Sequence, residues 1–200
     1  MNEIIERNAP KYLTNYGPGW VGFTYHPDQW LSYGIAYFER YEDADGIPVT
    51  HTFVCSGPDK CIEALGRGIV ESDLGKYFND PKCRIFFLRP KGWSEVMGMR
   101  IVSAAHQHIG DRYGYGIIAA DALGNTLAGR AINRLTGGLL SQWLWKRLDR
   151  PKAEICSELV ADALQAQPEF NGVGCLKGKS WEITPQMLFE DDFVFEQGTQ

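Results

Sequence analysis

Residues 49–65 constrain the fold of this chain more than any other stretch. Val49-Thr50-His51-Thr52-Phe53-Val54-Cys55 is rich in β-branched residues and alternates, Ser56-Gly57-Pro58-Asp59 is a turn, and Lys60-Cys61-Ile62-Glu63-Ala64-Leu65 returns as a second strand. Two strands joined by so short a turn pair antiparallel. Their register decides which side chains meet, because a slip of one residue moves every side chain to the other face. With an odd loop, such as Ser56-Gly57-Pro58, Cys55 opposes Asp59 and His51 opposes Glu63. Glu63 then accepts a hydrogen bond from the imidazole, and the other ring nitrogen is left for a thiol. A two-residue loop instead puts the two side chains on opposite faces. The sequence leaves both loops open.

Other segments extend this pattern. Val21 to Tyr25, Gly68 to Glu71 and Arg84 to Arg89 read as strands, the last ended by Pro90. Trp30 to Tyr41 fits either a short helix or a strand. Ser94 is a helix cap, followed by an apolar stripe through Met97/Gly98, Ile101/Val102, Ala104/Ala105 and His108/Ile109 to Gly110. Residues 116–150 read as mostly helical, broken at Gly124 and at Gly137-Gly138. Ser157 to Gln165 is a helix with Leu159, Val160 and Leu164 inward. Thr184-Pro185 is an N-cap with proline at the first helical position, and Phe193-Val194-Phe195 reads as a closing strand. The class expected is α+β: a small antiparallel sheet or partial barrel with helices packed beside it. A single domain over 1–200, with a helical insertion at 116–150, is the simplest division.

Composition narrows the function. Hydrophobic residues make up 44% of the chain, enough for a folded core, and the formal net charge of -5 argues against nucleic acid as partner. The cysteines Cys55, Cys61, Cys83, Cys156 and Cys175 form no C-x-x-C, and no Cys/His cluster has metal spacing, so no metal is expected; the cysteine chemistry described below calls for no organic cofactor either. His106 and His108 face apart on a helix. An odd cysteine count, no signal-peptide pattern and no run of about 18 apolar residues together point to the cytoplasm. A phage component or export by a route other than Sec is the alternative.

Cys156 carries the chemistry. In Glu154-Ile155-Cys156-Ser157-Glu158-Leu159-Val160 it stands where a loop turns into a helix. There, unpaired backbone N–H groups and the positive end of the helix dipole favour a thiolate. With His51 and Glu63 on the upstream strands, a nucleophile, a base and an orienting acceptor are all present, the parts of a cysteine-nucleophile acyl-transfer site. Taken singly, each has a plainer reading: a buried helix cysteine, a packed strand histidine and a solvent-facing carboxylate.

Thr50-His51-Thr52-Phe53-Val54, Ile62-Glu63-Ala64, Gly110-x-x-Tyr113 and Ile155-Cys156-Ser157-Glu158-Leu159-Val160, in that order, resemble the permuted NlpC/P60 group of papain-like cysteine amidases, the YiiX/YaeF-like hydrolases. In that group the histidine and the polar third residue precede the cysteine helix. The resemblance implies a permuted papain-like fold, with Cys156 as nucleophile, His51 as general base, Glu63 as orienting residue and Tyr113 as a substrate-lining or oxyanion residue. It also implies hydrolysis of an amide bond, in a cell-wall peptide or similar substrate, through an acyl-enzyme. The alternatives are a lipid or acyl ester or amide hydrolase or an acyltransferase, and an inactive domain that binds a peptide or lipid in the old cleft. One departure from the group is the long link between Tyr113 and the cysteine helix. Within residues 126–153, Arg130, Arg134, Lys146, Arg147, Arg150 and Lys152 alternate with leucines and tryptophans, a pattern suited to a lid or to peripheral membrane contact.

Overall fold

A computed structural model describes residues 10–26, 48–113, 153–154 and 156–196. The expected element at Trp30 to Tyr41, the helical insertion at 116–150 and the basic stretch up to residue 152 lie outside the described residues. The described elements are strands β1 (Val21–Tyr25), β2 (His51–Cys55), β3 (Lys60–Leu65) and β4 (Gly68–Asp73), the single helical turn α1 (Gly75–Phe78), strand β5 (Arg84–Leu88), helix α2 (Glu95–His106), the short strands β6 (Arg112–Tyr113) and β7 (Ala153–Glu154), helix α3 (Cys156–Gln165), two 3-10 turns (Gly174–Lys177 and Ser180–Glu182) and helix α4 (Pro185–Phe189). This is an α+β architecture.

Five strands form one antiparallel sheet in the order β4-β3-β2-β1-β5. Successive side chains of a strand point to opposite faces, and apolar residues of β2, β3 and β5 are buried on both. One face carries Val21, Phe23, Val54, Ile62, Ala64, Phe86 and Leu88, which pack with Ile101 of α2 and with Leu159, Val160 and Leu164 of α3. The other carries Phe53, Cys55, Cys61 and Phe87, which pack with Tyr16 and Leu74. Crowding on that second face explains Gly22: a Cβ there would sit 2.0 Å from the Phe53 ring.

Helix α2 begins where the sequence says it should. The Ser94 side chain accepts the Met97 N–H at 3.2 Å, and Met97, Gly98, Ile101, Val102 and Ala105 are buried. The helix ends at His106, so His108 and Ile109 fall beyond it. Thr184 caps α4 through the Met187 N–H, with Pro185 next in the chain. The expected closing strand at Phe193 to Phe195 is not formed. The Asp191 carboxylate accepts the N–H groups of Phe193 at 2.8 Å and Val194 at 3.2 Å, which curls the chain into a turn. Only an isolated bridge, Pro90 to Phe195, remains. Among the described residues no helix is long and apolar enough to cross a membrane.

Candidate active site

The β2–β3 register differs in detail from the sequence expectation. Cys55 opposes Cys61 and Val54 opposes Ile62, rather than Cys55 opposing Asp59. The amides of Ser56 and Gly57 both donate to the Lys60 carbonyl, at 3.0 and 3.2 Å, so the connection is Gly57-Pro58-Asp59. Contacts from outside the hairpin hold this loop: the Tyr16 hydroxyl donates to the Pro58 carbonyl at 2.7 Å, and the Leu74 amide donates to that of Asp59 at 2.8 Å. The loop is still odd. Continued along the strands, the register sets Glu63 across from Phe53 and diagonal to His51, on one face. Diagonal neighbours lie about 7–8 Å apart at Cα, within reach of long side chains. His51 Nε2 and Glu63 Oε2 are in fact 3.0 Å apart.

Glu63 is completely buried, whereas the His51 side chain keeps 18% of its surface. Four donors surround the carboxylate. Oε2 accepts from His51 and from the Tyr77 hydroxyl at 2.5 Å. Oε1 meets the Lys76 ammonium and the Cys61 thiol, the latter at 3.7 Å. Burial by itself would raise the Glu63 carboxyl, but the hydrogen bond and charge of His51 and those of Lys76 hold it far below the usual carboxylate range. Burial and the adjacent Glu63 push the Tyr77 phenol well up, so it stays a donor.

His51 is the first residue of β2, and from that strand end its ring comes close enough to Cys156, the first residue of α3, for the thiol to act on its proton affinity. Helix α3 lies against β2, β3 and α2, which fixes the position of its first turn. With Nε2 turned to Glu63, Nδ1 is the nitrogen left for the thiol. Burial disfavours the imidazolium, but the proximity of Cys156 and the hydrogen bond and charge of Glu63 outweigh it and raise the imidazole from 6.5 to about 9. The three residues therefore form a chain, Cys156 to His51 to Glu63. Cys156 itself is 4% exposed.

Burial pushes the thiols of Cys55 and Cys61 far up, Cys83 to about 11 and Cys175 to about 12, which keeps all four neutral. Tyr113 pairs through its backbone with Glu154 in the parallel β6–β7 ladder, so its main chain lies beside the strand that leads into Cys156. The Tyr113 side chain is outside the described residues. Among the described residues no group of three or more His, Cys, Asp or Glu is placed to hold a metal ion.

Lys76 and Tyr77 went unnoticed in the sequence. They sit on a four-residue helical turn, too short to show a period. One local signal exists: the Asp73 carboxylate accepts the Gly75 N–H at 2.5 Å, a short-range turn that Asp-Leu-Gly after a strand suggests. No protein-family model and no curated protein matches this chain.

Proposed function

We propose that this protein is a cysteine hydrolase of amide bonds, built as a permuted papain-like domain of the NlpC/P60 type. The observation that carries the reading is the hydrogen bond of His51 to the buried Glu63, with Cys156 beside the same imidazole at the start of α3. In this reading the Cys156 sulfur attacks the substrate carbonyl, and the His51 imidazolium protonates the leaving nitrogen as the C–N bond breaks. Water then adds to the acyl carbon, gives a proton to His51, and releases the thiolate. Glu63 holds the ring orientation throughout. The first amides of a helix have no carbonyl partner within it, so the Cys156 N–H is the natural donor to the oxyanion, with the Tyr113 hydroxyl as the proposed second donor. A peptide or an acyl-lipid are the substrate classes considered, and acyl transfer to a nucleophile other than water uses the same site.

A second reading keeps the fold as a peptide- or lipid-binding module without turnover. The burial of Cys156 favours it, because reactive cysteines are ordinarily part-exposed. Incubating the protein with a panel of activated acyl amides and esters, followed by intact mass measurement and peptide mapping, separates the two. The hydrolase reading expects an acyl adduct on Cys156 that decays with water and is absent in His51→Ala. No adduct from any ester or amide in the panel favours the binding module.

A further inference from the structure

Orienting an imidazole takes one acceptor, yet Glu63 is gripped from two sides. Its Oε2 serves His51 and Tyr77, while Oε1 faces Lys76. The charges give this a meaning. When His51 is protonated, imidazolium and carboxylate balance each other. When His51 is neutral, a fully buried carboxylate would stand alone in low-dielectric surroundings, which strongly disfavour it. The protein would then hold the histidine in its charged form. Lys76, whose stem leaves 37% of the side chain in solvent, brings a second positive charge to Oε1.

We propose that Lys76 is a positioning residue that keeps Glu63 a carboxylate while His51 is neutral, so that the imidazole releases and regains its proton within one catalytic cycle. The inference rests on the hydrolase reading. In the first half-reaction the C–S bond forms, the C–N bond breaks, and the His51 proton goes to the leaving nitrogen. In the second, the water oxygen bonds to the acyl carbon, one water proton goes to His51, and the C–S bond breaks to return the thiolate. Lys76 and Glu63 exchange no proton in either half. The groups that face the imidazole are Cys156 from α3, Glu63 from β3 and Tyr77 from α1, with Lys76 and Cys61 acting through Glu63. Tyr77 donates in both states, so Lys76 is the partner that supplies the missing charge.

The test is an NMR titration of the His51 ring in the full chain, in wild type, Lys76→Met, Lys76→Gln, Lys76→Arg and Cys156→Ser. Loss of the lysine charge should raise the His51 midpoint by about one unit or more, a tenfold gain in proton affinity. Lys76→Arg should restore the wild-type midpoint. An unchanged or lowered midpoint in both neutral variants overturns the proposal. So does loss of the fold in both at every pH, which would make Lys76 a structural counter-ion only. Cys156→Ser tests the parent reading separately: the His51 midpoint should fall when the thiol is removed. If it does not move, thiol and imidazole are uncoupled and the hydrolase reading fails, whatever the lysine variants show.

Discussion

Replacing Glu63 with glutamine keeps the side-chain volume and removes the charge on which the site depends. In the wild type, burial lowers the His51 imidazole, and the bonds and charges of Cys156 and Glu63 raise it from 6.5 to about 9. That net rise, about 9 minus 6.5, is about 2.5 units, or about 3–4 kcal/mol in favour of the imidazolium at about 1.4 kcal/mol per unit. Glu63 also accepts the Tyr77 hydroxyl and neutralises Lys76. In Glu63→Gln the amide offers one acceptor oxygen and turns an N–H toward another donor. The expected outcome is a His51 midpoint lower by at least about one unit and an unfolding free energy lower by about 3 kcal/mol, the low end of the ~3–5 kcal/mol for removing one partner of a buried pair. The pH dependence has a definite sign. The His51 contribution is complete below 6.5 and fades as pH rises through about 9. The Glu63 contribution is complete above 4.5 and is lost as pH falls through its lowered value. The deficit of Glu63→Gln is therefore largest between pH 4.5 and 6.5 and shrinks above about 9. Urea unfolding across this range, paired with NMR titration of the ring, measures both. A loss under about 0.5 kcal/mol at pH 6, with the midpoint unmoved, would refute the reasoning.

Three further substitutions test the frame that holds the site. Gly22→Ala places a methyl 2.0 Å from the Phe53 ring, beside His51, and should cost about 1–3 kcal/mol by chemical denaturation. Ser94→Ala removes the cap on α2 and should cost about 1 kcal/mol while leaving the His51 titration unchanged. Asp191→Ala frees the Cys175, Phe193 and Val194 amides that the carboxylate now accepts, and faster hydrogen exchange at those amides, with a Tm lower by several degrees, is expected.

How much of this was legible in the sequence follows from what each inference depends on. The shared face of His51 and Glu63 depends only on loop parity, so it survives a register displaced by two residues. The register itself does not, because Tyr16 and Leu74 grip the loop from distant parts of the chain. Helix α2 announces itself by period and cap, α3 by its period, and α4 by its cap and proline, since those signals are local. Phe193 to Phe195 looked like a strand on apolar content alone, but the neighbouring carboxylate of Asp191 offered its amides a closer partner than a sheet edge. Lys76 was out of reach for a different reason. Its approach to Glu63 requires the β3–β4 hairpin, the turn of Asp73 onto Gly75 and the depth of Glu63 in the sheet, none of which a single-residue pattern encodes.

The central claim is that Cys156 and His51 act as one reactive pair. The most direct measurement is the pH dependence of Cys156 alkylation by a small reagent, mapped by peptide, in wild type and in His51→Ala. The account predicts modification of Cys156 in the wild type that is at least about tenfold faster than in His51→Ala in the lower part of the pH range. Equal rates of Cys156 modification in the two proteins at every pH would contradict it.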